Sequence, residues 1–211
     1  MTRIIQIHFS LFIVLFAVLG FSETRDLTSV PQPAINMQRE YVKIDTENSV
    51  IDDYFDDEQR DKAELVIKDG LLYRKRNGKL ASFWLSRIFS IDPNGRFFIR
   101  HEKNYLIGTS YYHSTLTAGG PVILAGHAVI KEGKLVHITN GSGHYKPNTR
   151  AVYKTLIYLQ ALGVDLSDTI VSIVRPPDLG PAKGVSYKVG DFLAQYELKL
   201  SRNSCLAFYH D

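Results

Sequence analysis

Two histidines in this chain lie beside hydroxyl side chains and glycine, a combination that could support proton-transfer chemistry. His113 precedes Ser114, and His144 follows Ser142 and Gly143. An imidazole can act as a base near neutral pH, and a serine hydroxyl that it polarises can act as a nucleophile. The spacing therefore predicts a candidate catalytic centre that contains His113, Ser114 and His144.

The second histidine segment also has the composition of an anion-binding turn. It lies just before a predicted helix, whose first backbone N–H groups would favour an anion or a phosphate. The charge of Lys146 would add to that field, and glycines let a ligand approach the backbone closely. The predicted ligand-binding residues are Gly119, Gly120, Ser142, Gly143, Tyr145 and Lys146.

A structural interpretation of the same residues stays open. A histidine flanked by glycine in a turn can bond backbone carbonyls and fix the turn, and Tyr145 can fill the core. Gly119-Gly120 is too short for a phosphate-binding loop, so a bulge or a tight crossing of the chain is the simpler interpretation. Under this interpretation His113 and His144 stabilise loops and carry out no reaction.

A weaker pattern involves the C-terminal part of the chain. Gln195-Tyr196-Glu197 has the Gln-x-Glu form used by some ADP-ribosyltransferases, and Ser114-Thr115 is similar to part of their Ser-Thr-Ser strand. In that enzyme class the glutamate, here Glu197, would stabilise an oxocarbenium-like ribose. Arg74 is the candidate for the arginine of the first strand. A group transferase acting on a nucleotide-derived substrate such as NAD is therefore one alternative function.

The histidine spacing does not predict a metal site. His113, His127, His137 and His144 include no pair with the one-face spacing of a zinc motif. An acidic run that includes Asp52 and Glu58 lacks the alternate spacing and the glycine of a calcium-binding loop. We therefore predict no metal, and no cofactor is identified from the sequence.

The composition is typical of a globular protein. Hydrophobic residues make up 45% and charged residues 22% of the 211 residues, and the formal net charge is +3. The cations are dispersed among acids, so nucleic acid is not an expected partner. The single cysteine, Cys205, makes a disulfide within one chain impossible.

The N-terminal segment predicts export. Arg3 precedes an apolar run from Ile4 to Phe21, and Gly20 and Ser22 are the small residues three and one before Glu23. This is the pattern of a secretory signal peptide over residues 1–22. The alternative is an uncleaved membrane anchor. No second apolar run is long enough to span a bilayer, so we expect no membrane association after cleavage. We expect a secreted protein, and delivery to a target cell is compatible with this expectation.

The remaining chain predicts an α+β fold. Residues 23–60 are expected to be an irregular acidic lead-in, and 61–211 a single globular domain. Asp69-Gly70 and Lys131–Lys134 each lie between apolar runs and predict hairpins. Asn148 or Thr149 can cap one main helix that ends at Gly163. The predicted fold is an antiparallel strand meander with this helix packed on the sheet.

One block of motifs carries a family resemblance. It contains Tyr112–Thr115 with Ala118-Gly119-Gly120, then Ser142–Pro147, and Gly163–Leu166 after the helix. In this order and spacing the motifs resemble the globular domain of the plant IQ-motif-containing calmodulin-binding (IQM) proteins, and similar bacterial effector or polymorphic-toxin domains. The resemblance spans about Leu65 to Val174 and implies a common fold.

The resemblance does not extend to the calmodulin-binding motif. Ile5-Gln6 is the only Ile-Gln pair, it lies in the predicted signal peptide, and the basic residues of an IQ helix do not follow it. Calmodulin is therefore not supported as a partner. We expect a secreted effector or toxin-like interaction domain with an unknown protein partner or target-cell component. The alternative is a secreted enzyme that uses His113 and His144.

Overall fold

A computed structural model describes residues 34–36, 54–104, 109–174 and 184–207. The predicted signal peptide and most of the lead-in lie outside these residues. The expectations for those segments stay predictions.

The described elements alternate between short strands and a few helices. In chain order they are α1 (Asp57–Ala63), β1 (Glu64–Lys68), β2 (Leu71–Arg74), β3 (Phe83–Ile91), β4 (Phe97–Arg100), β5 (Lys103–Asn104), β6 (Thr109–Ser110), α2 (His113–Leu116), β7 (Leu124–Lys131), β8 (Lys134–Thr139), α3 (Thr149–Ala161), β9 (Ile170–Ile173), β10 (Val185–Lys188) and α4 (Val189–Ala207). None of the described helices is long and apolar enough to cross a membrane.

Most of the strands form one mixed sheet. Its order is β10-β9-β8-β7-β3-β4-β1-β2, while β5 and β6 pair separately. Every pairing in the large sheet is antiparallel except that of β8 with β9, which is parallel because α3 lies in the crossover between them. The α+β fold class is therefore confirmed, although the strands do not follow a simple meander order.

The two predicted hairpins are confirmed. Asp69 and Gly70 join β1 to β2 with φ values of 50° and 75°, and Glu132 and Gly133 join β7 to β8 with 48° and 79°. Two successive left-handed residues match the twist of the flanking strands, which is why Asp-Gly and Glu-Gly occupy these corners.

Helices cover both faces of the sheet. Along β3, Ile88 packs with Phe98 and Leu116 on the face that carries α1 and α2. The next residue, Phe89, packs with Leu156 of α3 and with α4 on the other face. Because successive strand residues point to opposite faces, the two helix pairs are separated by the sheet.

The predicted main helix is confirmed as α3. The side chain of Asn148 accepts a hydrogen bond from the backbone N–H of Ala151 at 3.0 Å, and Gly163 follows the helix at φ 83°. Three further helices are not part of the predicted fold. Helix α2 is a single short turn, α4 occupies the C-terminal part of the domain, and α1 begins inside the predicted irregular lead-in, capped by Asp56 and Gln59.

Candidate functional site

The short helix α2 positions His113 and Ser114 against the sheet. Leu116 at its end is fully buried with residues of β3 and β4. The hydroxyl of Ser90 on β3 donates a hydrogen bond to the His113 carbonyl at 2.9 Å. The backbone of the first histidine is therefore fixed by a buried residue of the central sheet.

The His113 ring is bonded to the main chain. Its Nε2 lies 3.0 Å from the carbonyl oxygen of Gly126 on β7, so Nε2–H is the donor. Burial, with smaller contributions from the neighbouring His127 and His144, lowers the pKa of His113 to about 3, so the ring is neutral near pH 7. The ring of His127 lies edge-on at a centroid distance of 5.2 Å. A neutral, buried ring bonded to backbone is what the structural interpretation of His113 requires.

Ser114 and His144 form the hydroxyl–imidazole contact that the sequence suggested. Ser114 Oγ lies 2.8 Å from His144 Nδ1, although the two residues are 30 positions apart. Tyr112 stacks on the His144 ring at 5.1 Å, and burial lowers the pKa of His144. The side chain of Ser114 is completely buried, however, so a substrate could not reach its oxygen in this conformation.

Tyr145 ties the glycine pair to the body of the domain. The Tyr145 hydroxyl donates to the Gly120 carbonyl at 2.6 Å and lies 2.9 Å from Thr117 Oγ1. Burial raises the pKa of Tyr145 to about 12. Gly119 has φ +76°, and a Cβ there would lie 2.8 Å from the hydroxyl oxygen of Tyr54. The Gly119-Gly120 segment is therefore a tight crossing between two tyrosines.

Ser142, Gly143 and Lys146 form the turn that carries His144. The Ser142 carbonyl accepts a hydrogen bond from the backbone N–H of Lys146 at 2.9 Å, and Lys146 adopts φ 44°. Ser142 is buried, whereas Gly143 is exposed. The turn lies before Asn148, whose own side chain already bonds the first turn of α3, so the anion predicted at this helix end would have to compete with that cap.

Glu197 lies apart from the histidines. It is exposed on α4, where its carboxylate accepts a hydrogen bond from the Tyr153 hydroxyl at 3.4 Å. Ser114 and Thr115 lie in helix α2 and not in a strand, on the opposite face of the sheet. The expected strand position of Ser114-Thr115 is wrong because the buried Leu116 folds this segment as a helical turn. The structure does not bring Glu197 and Ser114 together.

Three residues that organise this region were not predicted as site residues. Gly126 supplies the carbonyl that binds His113. Thr139 Oγ1 accepts bonds from the backbone N–H groups of His127 and Gly141, each at 3.1 Å. Asn140 donates to the Pro147 carbonyl at 2.7 Å and accepts from the Val174 N–H at 2.7 Å. An asparagine directly after a strand was the available signal.

Metal ligation has no geometric support in the parts of the chain that the structure describes. Within residues 34–36, 54–104, 109–174 and 184–207, no three histidine, cysteine, aspartate or glutamate side chains are close enough to hold an ion. His127 Nε2 lies 3.9 Å from a carboxylate oxygen of Glu102, and His137 Nε2 lies 2.7 Å from Ser172 Oγ.

Comparison with known proteins agrees with the motif resemblance. A family model described as the IQ motif-containing protein middle domain matches residues 59–152. The IQ domain-containing protein IQM2 of Arabidopsis thaliana is 25% identical over 162 residues, which cover 74% of this chain and 25% of the relative. For IQM3 of the same plant the identity is 27% over 123 residues, covering 56% and 26%. No solved structure matches the chain.

The matched segment contains the histidine site but not the C-terminal helix. Residues 59–152 include His113, Ser114 and His144, whereas Glu197 lies beyond them. The chain spans about a quarter of the length of the curated relatives it matches. The resemblance is therefore to one domain of those proteins.

Proposed function

We propose that this chain, which resembles the middle domain of the IQ motif-containing proteins, is an exported effector or toxin-like domain that acts by binding a protein partner or target-cell component. The observation that carries the proposal is the burial of the motif residues. Ser114 is fully buried, and His113 Nε2 is hydrogen-bonded to a backbone carbonyl. Export rests on the N-terminal signal-like sequence.

The motif residues support this function by holding loops together. Hydrogen bonds of His113 and Ser114 join α2 to β7 and to the turn before α3. A hydrogen bond of Tyr145 joins that turn to Gly120. Each bond joins segments that are distant in sequence, and each satisfies a buried polar group. The polar atoms that could do chemistry are therefore used to fix the shape of a binding domain.

A second candidate is an enzyme centred on Ser114 and His144. The 2.8 Å contact between Ser114 Oγ and His144 Nδ1 has the geometry of a nucleophile and its base. This candidate requires a movement that exposes Ser114, and it gains no carboxylate from Glu197, which lies on the other face of the sheet. The group-transferase form of the function therefore rests on the serine–histidine pair alone.

Growth of a host that expresses the chain without residues 1–22 distinguishes the two candidates. We expect arrest of a bacterial or a yeast host, and we expect Ser114→Ala and His144→Gln forms, matched for soluble level, to arrest growth equally. Loss of a catalytic base or nucleophile would instead reduce activity by about 10²- to 10⁴-fold. Growth curves of each form, with Leu198→Ser on the exposed side of α4 as the control, give the comparison.

Relief of the arrest by either substitution would overturn the binding proposal and support the enzyme. Unchanged growth with the unsubstituted chain in both hosts would remove the toxin-like part of the proposal.

A further inference from the structure

One surface outside the histidine region exposes two large apolar side chains in succession. Trp84, the only tryptophan of the chain, is 83% exposed, and Leu85 is 66% exposed. Together with Phe83, Arg74, Arg87 and Lys131 they form what we call the Trp84 surface. Single exposed apolar residues are common on proteins, but an adjacent exposed Trp–Leu pair is typical of an interaction site.

The backbone of this pair lies in a stretch of β3 that forms no ladder pairs. Strand β4 pairs only with Ile88–Ile91 of β3. On the other side, the pairing of β3 with β7 shifts register between Phe83 and Arg87. Residues 84–86 therefore have no partner in either ladder, and both faces of this stretch are exposed. An unpaired stretch of strand can accept another extended chain.

Unpaired positive charge surrounds the pair. The guanidinium groups of Arg74 and Arg87 lie 4.8 and 5.5 Å from the centre of the Phe83 ring, and Lys131 Nζ lies 5.8 Å from the centre of the Trp84 ring. Among the described residues, none of the ion pairs includes these three cations. The Arg74 guanidinium donates to the Ser82 carbonyl through Nη2 at 3.1 Å. Arg74 Nε and Arg87 Nη1 are buried atoms with no hydrogen-bond partner in the same part of the chain.

We propose that the Trp84 surface binds an extended acidic segment of a protein partner, which adds along the unpaired residues 84–86 of β3. This inference rests on the proposed binding function and names its surface. Carboxylates of the segment pair with Arg74, Arg87 and Lys131, while Trp84 and Leu85 cover its apolar side chains. Tryptophan and arginine are the residues that most often dominate such interfaces.

The geometry favours a peptide over a membrane or a nucleic acid. The planar guanidinium fork matches a carboxylate with two parallel hydrogen bonds. An unpaired stretch of strand gains backbone hydrogen bonds from a peptide, whereas in lipid the same stretch would leave backbone groups unsatisfied. Two arginines and one lysine also make too small a cationic area to follow a nucleic-acid backbone.

Trp84 provides its own probe, because no other tryptophan contributes to the fluorescence. The protein recovered from expression of the full chain is titrated with a peptide of alternating glutamate and valine. We expect a saturable blue shift of the Trp84 emission that added salt weakens. Leu85→Ser and Lys131→Glu should each weaken binding by about tenfold. Leu198→Ser and Lys199→Glu on the exposed side of α4 are the matched controls and should leave binding unchanged.

An unchanged emission, or an equal response to a peptide of alternating lysine and valine, would overturn the assignment. A response to phosphatidylserine vesicles or to a single-stranded oligonucleotide, without one to the acidic peptide, would replace it by a membrane or a nucleic-acid surface. The growth test uses Ser114 and His144 variants that leave Trp84 intact. A failed titration therefore leaves the proposed function standing, whereas relief of arrest by those variants would overturn that function even if the peptide binds.

Discussion

Gly126→Ala is expected to destabilise the protein strongly. An ideal Cβ at Gly126 would lie 1.9 Å from the carbonyl oxygen and 2.7 Å from the carbonyl carbon of Thr139 on the neighbouring strand. Both contacts are to backbone, so no side-chain rotation can relieve them. The strands would have to separate, and the carbonyl that binds His113 would move with them.

We expect a cost of at least about 4 kcal/mol from this clash, a large part of the roughly 5–15 kcal/mol that stabilises a typical domain. Thermal unfolding followed by circular dichroism measures the effect, with an expected loss of about 10 °C or more in Tm. Gly143→Ala is the matched control. It is exposed, and nothing lies within 4 Å of its ideal Cβ, so its Tm should stay within about 2 °C. A Gly126→Ala protein as stable as this control would contradict the close approach of β7 and β8.

Acid is expected to destabilise the protein as the pH falls below about 6.5. Burial lowers the pKa of His113 from 6.5 to about 3. Between these values the unfolded chain binds a proton on His113 that the folded protein excludes. The contribution of His113 to stability is therefore fully present above pH 6.5 and is lost as the pH falls toward 3. Its slope is about 1.4 kcal/mol per pH unit, or roughly 2–3 kcal/mol by pH 4.5.

Urea unfolding between about pH 7 and pH 4.5 measures this loss. Burial also lowers the pKa values of His144 and His137, which act in the same direction. Replacing His113 by Gln should reduce the slope of stability against pH by about one proton, whereas His137→Gln should reduce it less, because the His137 ring is only half-buried. If the stability of His113→Gln depended on pH as steeply as that of the unsubstituted protein, the neutral, buried state of His113 would be contradicted. Asp61 and Asp165, whose pKa values lie below 3.8, titrate outside this window.

Local signals explain why much of the fold could be predicted. Asp69-Gly70 and Glu132-Gly133 adopt left-handed conformations that few other residue pairs tolerate, so each hairpin is encoded in its corner. Asn148 and Gly163 mark the ends of α3 in the same local way. Where a turn or a helix end depends only on neighbouring residues, the sequence pattern was sufficient to predict it.

Non-local packing accounts for what was missed. The parallel pairing of β8 with β9 depends on the crossover through α3. No residue type in the sequence indicates that crossover. Helix α2 has only four residues and is held by the burial of Leu116 against Ile88 and Phe98. Helix α4 is long because Phe192 and Leu193 pack into the core shared with α3. Such contacts depend on residues far apart in the sequence.

The candidate site was predictable in its members and less so in its arrangement. Ser114 and His144 do meet, but the serine is buried, and His113 bonds to the backbone of Gly126 instead of joining them. Glycine spacing gave no indication that Gly126 touches Thr139, because that contact arises only when β7 and β8 are paired. The sequence pattern indicates which residues have chemistry; burial determines whether the chemistry is accessible.

Labelling of Ser114 by a fluorophosphonate tests most directly whether the serine–histidine contact is structural or reactive. The folded protein and a known serine hydrolase are treated in the same tube, and intact mass is recorded over time. Because Ser114 Oγ is buried, we expect no change in the mass of this protein after the hydrolase is fully labelled. A single phosphonyl adduct that maps to Ser114, and that disappears in Ser114→Ala, would contradict the binding-domain account and identify an accessible nucleophile.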